Sequence, residues 1–188
     1  MSTIITIILI LIASVVLWGV GIYNLLISKR NQVKNIRAGV DTQLKKRYDL
    51  IPNLVATVKE YMKHEKETLS EITSLRSRAM STKDRAEEFD LNNQLSKLLS
   101  GINVAIEAYP ELKASQNVMH LQETLTETEE QISAARRAYN SSVMSLNNAI
   151  EMFPSNIIAS MFNFKKDLFF EIEEGEKTAP NISEMFKK

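Results

Sequence analysis

The first constraint on this chain is a run without charge. Residues 4 to 27 hold 19 apolar residues out of 24, all but Thr6, Ser14, Gly19, Gly21 and Asn24. As a helix the run rises about 36 Å, enough to cross a hydrocarbon core of about 30 Å with some tilt. A cleavable signal peptide would show a basic start, a shorter apolar stretch and a small-x-small exit. Only Met1, Ser2 and Thr3 precede the run and no such exit follows it, so the reading is a retained anchor. Trp18 and Tyr23 lie toward its distal end, where amphipathic rings favour the headgroup region. The span carries no GxxxG pairing motif.

Charge next to the run sets the expected orientation. Lys29, Arg30, Lys34, Arg37, Lys45, Lys46 and Arg47 follow it against the single acid Asp41. The positive-inside tendency then leaves the short N-terminus outside and the body in the cytoplasm; a body outside the cytoplasm is the competing topology. Lys29 and Arg30, with Trp18 and Tyr23, are the expected membrane-anchoring residues, and the lipid bilayer is the first expected partner. The basic flank is read as an orientation signal, with recognition of anionic lipid as the sharper alternative.

With the run set aside, the rest of the chain is polar and helical in pattern. Five glycines, 4 prolines and 7% aromatics leave too few turns and strand formers for a sandwich, a barrel or a doubly wound sheet. Zero cysteine removes disulfides and thiolate metal sites. A net charge of +0 gives no pull toward nucleic acid.

Punctuation divides the body into helices. Residues 29 to 48 carry Val33, Ile36, Val40, Leu44 and Arg47 on one stripe. Pro52 predicts a break near Asp49 or Leu50, with a second helix from Pro52 to about Met80 on the stripe Val55, Val58, Met62, Glu65, Leu69, Ile72, Arg76 and Ala79. A third helix opens at Asp84 with Glu87 and Glu88 in its first turn, carries Leu91, Leu95, Leu98, Ile102, Ala105 and Tyr109, and stops at Pro110. A fourth runs from about Glu111 to Phe153, through Leu121, Leu125, Thr128, Ile132, Ala135, Tyr139, Val143, Leu146 and Ile150, and Pro154 closes it. A short amphipathic piece covers 155 to 164, and a charged tail with a mobile end follows. The expected architecture is all-α: an anchor over residues 1–28, an elongated antiparallel four-helix bundle over 29–164, and a tail over 165–188.

Three segments carry a family likeness. The first is Leu44 to Val55, which includes Lys45, Lys46, Arg47, Tyr48, Asp49, Leu50, Ile51, Pro52, Asn53 and Leu54, and continues to His64 and Glu65. The second starts at Tyr109, Pro110, Glu111, Leu112, Lys113 and Ala114 and includes Asn117, Leu121 and Gln122. The third contains Thr128, Glu129, Ile132, Ala135, Arg136, Arg137, Tyr139, Asn140, Val143, Asn147, Ile150, Phe153 and Pro154, and continues to Ile158 and Ala159. In these the chain resembles the LemA family of bacterial membrane proteins, departing from its pattern at Arg37, Glu130 and Leu146. The resemblance implies a transmembrane helix at the N-terminus, a four-helix bundle, an external N-terminus and a cytoplasmic body in the bacterial cell membrane. It implies no settled activity.

The chemistry available to the chain is weighed on the same residues. Glu60 with His64, and His120 with Glu123, each share a helix face and could clamp a divalent metal if their helices met; this is the route to a membrane-tethered metal-dependent enzyme or protease accessory. No nucleophile turn and no phosphate loop accompany them, so the favoured reading is not an enzyme and needs no cofactor. Glu65 and Arg76 sit on the predicted seam of the second helix, while Arg136 and Arg137 flank the seam of the fourth near Tyr139 and Asn140, and charges inside a bundle need partners such as Asp41, Asp49, Glu65, Glu129 and these arginines. Register-fixing pairs are one reading. The other is a polar groove for a partner on Arg47, Tyr48, Asp49, Pro52, Glu65, Arg136, Tyr139 and Asn140, binding another membrane protein or a second copy. Residues Ile157, Ile158, Met161, Phe162, Phe164, Phe169 and Phe170 form an apolar concentration that either closes the bundle's end or meets membrane or partner. The functional expectation is a single-pass scaffold or interaction module.

Overall fold

The structure, a computed structural model, describes residues 2–170. The expected mobile end of the tail, Thr178 to Lys188, lies outside the described residues. Within them the chain is all-α with no strand: α1 Ser2–Val58, α2 Lys66–Ser81, α3 Arg85–Ile106, α4 Pro110–Lys113, α5 Gln116–Glu151 and α6 Ser155–Met161, with a 3-10 turn at Lys63–Glu65.

Two compact units form among the described residues, one from residues 2–41 with 134–169 and one from 42–133 with Phe170. In the second unit, the end of α1, α2, α3 and the start of α5 bury interleaved stripes: Leu44, Ile51, Leu54, Val58, Ile72, Leu91, Leu95, Ile102, Leu125 and Ile132 are almost inaccessible. The heptad reading places most of this core. It misplaces two positions in α3, where Leu99 and Ile106 are buried instead of Leu98 and Ala105.

The expected break at Asp49 and Pro52 is absent. Helix α1 runs through Pro52 to Val58 and turns only at Lys59 to Met62. Pro52 has no N–H to give the carbonyl four residues earlier, and an orphaned buried carbonyl is costly. That carbonyl belongs to Tyr48, and it accepts instead from Arg76 Nε of α2 at 2.6 Å. A side chain from the neighbouring helix thus supplies the hydrogen bond that proline removes. The start of α3 does follow the sequence: Asp84 is its N-cap, accepting from the Ala86 N–H at 2.8 Å. Pro110 opens the one-turn α4 after α3 has already ended at Ile106, and α5 begins at Gln116, later than Glu111.

In the first unit, α6 folds back onto the apolar half of α1. Leu26, Ala149 and Ala159 make a small core against which Ile22, Ile150, Ile158 and Phe164 pack. Ile158 Cδ1 would stand 3.7 Å from a Cβ at Gly19. Helix α6 ends in a Schellman motif: Phe164 N–H donates to the Ala159 carbonyl at 2.9 Å and Asn163 N–H to the Ser160 carbonyl at 3.2 Å. Asn163 takes the left-handed conformation at φ 53°, which Asn tolerates better than most residues. Below the motif, Asn147 holds the incoming chain twice, Nδ2 donating to the Asp167 carbonyl at 3.0 Å and Oδ1 accepting the Asp167 N–H at 2.9 Å. The expected closing flap is met in part. Phe164 is half-buried, but Ile157, Met161 and Phe162 remain exposed.

Candidate functional site: a buried polar cluster and a basic groove

Arg47 and Tyr48 are consecutive on α1, and both are buried against the second unit's core. Burying a guanidinium is costly unless its donors are met, and here α3 and α5 meet those of both terminal nitrogens, while Nε is left without a partner among the described residues. One terminal nitrogen donates to Ser96 Oγ at 2.7 Å and to Glu129 Oε1 at 2.9 Å. The other donates to Asn92 Oδ1 and more weakly to the Asn92 carbonyl at 3.4 Å. Ser96 Oγ in turn donates to Glu129 Oε2 at 2.8 Å, and Tyr48 OH donates to Asn92 Oδ1 at 2.8 Å. Asn92 closes the set by donating from Nδ2 to the Glu88 carbonyl at 2.8 Å. Burial raises the Tyr48 pKa above its ordinary 10.0, an effect only partly offset by the Asn92 hydrogen bond and the Arg47 charge.

This cluster is closed to ligands on most sides. Arg47 is 0% exposed, whereas Glu129, whose side chain is 30% exposed, and the half-buried Ser96 reach water. Its polar groups are turned on one another. Asp49 and Pro52 point outward, Asp49 pairing with Lys45 at 2.8 Å. Glu65 is half-buried in the 3-10 turn. Arg136, Tyr139 and Asn140 belong to the first unit, where Tyr139 is fully buried and its OH donates to the Leu168 carbonyl at 3.0 Å. The residues expected to form one binding surface therefore divide between two units.

The metal reading loses its site. Glu60, His64, His120 and Glu123 are all exposed, and among the described residues no three His, Cys, Asp or Glu side chains gather closely enough to hold a metal ion. His120 and Glu123 do share a face of α5, but Glu60 lies in the turn after α1 and His64 in the 3-10 turn, so the first expected pair has no common helix.

A groove of about 790 Å³ opens instead where the chain turns from α1 into α2. Val55, Met62 and Leu69 line its floor, Ser70, Thr73, Ser74 and Ser77 one wall, and Lys59, Lys63, Lys66 and Arg78 its rim. Glu60 is the one acid in the lining. Arg78 also approaches Glu87 at 3.5 Å, while the three lysines make no ion pair among the described residues. A neighbouring depression of about 510 Å³ shares Glu60 and Lys63 and is walled by Tyr61, Tyr109, Pro110 and Glu111. The groove was not foreseen: Lys59 lies in the turn after α1, Lys63 in the 3-10 turn and Lys66 at the start of α2, so no single helical face carries the basic row.

The anchoring residues lie on the first unit. Trp18 is exposed; the Tyr23 ring lies 4.7 Å from Phe162 and 6.0 Å from Phe164, centroid to centroid. Lys29 Nζ donates to Ser145 Oγ at 2.6 Å, and the Arg30 guanidinium sits 5.2 Å over the Phe164 ring. Helix α1 contains a window of mean hydropathy 2.8, none of it buried, long and apolar enough to cross a membrane.

The sequence model of the LemA family matches residues 37–183. The chain belongs to the LemA family. It is 28% identical over 167 residues to Protein LemA of Metamycoplasma hominis, covering 88% of this chain and 76% of that protein. Family and apolar helix together make this LemA-family chain a membrane-associated helical protein.

Proposed function

We propose that this protein is a single-pass scaffold of the bacterial cell membrane, with a short external N-terminus and a cytoplasmic helical body that works by binding and not by turnover. The observation that carries the reading is the groove at Lys59 to Arg78. Its volume falls in the range of ligand-binding clefts, its floor is apolar, and its rim is strongly cationic. Such a surface suits helix-in-groove recognition, in which one face of a partner helix supplies apolar anchors and its edges supply charge. The occupant is an acidic amphipathic helix of another protein at the membrane, since four cations against one acid select for negative charge. The basic residues Lys29, Arg30, Lys34, Lys45 and Lys46 support the cytoplasmic placement.

One experiment tests both parts. A fluorescent amphipathic peptide with leucines on one helical face and glutamates on the others is applied to cells displaying the full chain, before and after permeabilisation, and to the purified chain in nanodiscs. Binding is expected only after permeabilisation. The triple variant Lys59→Glu, Lys63→Glu, Lys66→Glu should weaken it by about ten-fold or more, since three rim charges contribute up to about 1 kcal/mol each. Staining of intact cells overturns the topology. Equal affinity for wild type and triple variant, or for a lysine-rich version of the peptide, overturns the groove.

A further inference from the structure

The first unit carries an apolar surface that its own packing leaves uncovered. Phe153 is 78% exposed, Met161 72%, Met152 62%, Phe162 56% and Ile157 51%. These side chains come from the end of α5 and from α6, elements held against the apolar run of α1 itself at Gly19, Ile22 and Leu26. That attachment fixes their depth.

The run from 4 to 27 rises about 36 Å against about 30 Å of hydrocarbon, so at most about 6 Å of its distal end protrudes. Gly19 lies eight residues before Ile27, about 12 Å back along the axis. The level at which Ile158 meets α1 is therefore at least about 6 Å inside the hydrocarbon boundary, the depth to which interfacial helices settle. Charge is arranged to match. Lys165 and Lys166 follow immediately after Phe164, both exposed, Lys166 pairing with Glu151 at the end of α5, and the Arg30 guanidinium sits over the Phe164 ring.

We infer that α6 and the α5 terminus form a collar seated in the leaflet from which α1 emerges, with Met152, Phe153, Ile157, Met161 and Phe162 among the acyl chains, Lys165 at anionic headgroups and the Lys166–Glu151 pair at the same polar level. A surface fastened to a segment that lies in lipid is in lipid already, and no protein partner is required to cover it. The chain thus meets the membrane through two elements, which restrains rotation about the α1 axis in a way that one helix alone does not. The inference rests on α1 crossing the bilayer.

The test uses the full chain with its single tryptophan removed by Trp18→Phe, reconstituted in vesicles of equal parts phosphatidylcholine and phosphatidylglycerol. Three reporters are added one at a time: Phe153→Trp, Met161→Trp and, inside the span, Leu9→Trp. Retained helix content by circular dichroism confirms that each folds, as substitution at exposed positions should allow. The collar reporters are expected to lose most of their emission to lipids brominated near the headgroup, and to be shielded from acrylamide in water. Quenching by acrylamide overturns the collar. So does protection from both quenchers, which would place a second copy of the chain on the patch. If Leu9→Trp is quenched by deeply brominated lipid while the collar reporters are not, the anchor stands and the collar alone falls; if Leu9→Trp is unquenched, both fall.

Discussion

The hydrogen bond from Arg76 to the Tyr48 carbonyl should be energetically coupled to Pro52. An interior proline costs about 3 kcal/mol or more in a helix, from the lost N–H bond and from ring crowding. Here the lost bond is replaced: Arg76 Nε donates at 2.6 Å to a carbonyl on a residue only 7% exposed, where water does not substitute readily. A hydrogen bond to a charged group contributes about 1.5 to 3 kcal/mol, and the half-buried position of Arg76 points to the lower end. Arg76→Met, which keeps most of the stem's packing, should therefore destabilise the chain by about 1.5 kcal/mol. In a Pro52→Ala background the restored N–H reaches the same carbonyl, and the cost of Arg76→Met should shrink by about 1 kcal/mol. Denaturant unfolding of the four full-length chains in micelles, followed by far-ultraviolet circular dichroism, gives the cycle from midpoints at a common slope. Additivity within about 0.3 kcal/mol would refute the reasoning, because independent sites add.

Two further outcomes concern the buried cluster. Glu129→Leu leaves the Arg47 cation wholly buried without its counter-charge and should destabilise by about 3 kcal/mol or more. Arg47→Met leaves a carboxylate that can turn to water and should cost less, about 1 to 3 kcal/mol; the reverse order in denaturant unfolding would count against the cluster as described. The raised Tyr48 pKa has a pH signature. The folded state holds the phenol proton more tightly than the unfolded chain, so its contribution is fully present below the ordinary value of 10.0 and is lost as pH rises through the raised folded value. Unfolding midpoints of the wild type should fall more steeply above pH 10 than those of Tyr48→Phe, and parallel profiles would exclude Tyr48 as the source.

Local chemistry was readable where a single residue decides the backbone. Asp84 caps α3, and the apolar spacing of Leu125, Ile132, Tyr139, Val143 and Leu146 marks the buried face of α5. Pro52 misled because its penalty is local while its remedy, Arg76, lies 24 residues away. The true turn at Lys59 to Met62 contains no helix breaker; it brings Met62 to 0% exposure, and that packing gain has no local signature. In the cluster, Glu129 was among the carboxylates expected to pair with the arginines. Asn92 and Ser96 were not, since they flank the apolar stripe of α3 and read as surface. The apolar concentration from Ile157 to Phe170 was visible, but its contact with Gly19 and Ile22 is a tertiary fact that no sequence window contains.

The cluster and the groove are connected through two consecutive residues. Apolar seams such as Leu91, Leu95, Leu99, Ile102 and Ile106 look much alike one turn apart, so burial alone distinguishes registers weakly. A slip of one turn moves a helix by about 5.4 Å, which would strand the Arg47 guanidinium from Asn92, Ser96 and Glu129 at once. Arg47 thereby fixes α3 and α5 against α1 by its side chain. Tyr48, the next residue, fixes α2 against α1 by its backbone carbonyl and Arg76. With α2 held there, Met62 and Leu69 form the floor of the groove, and Lys59, Lys63 and Lys66 are left at its rim.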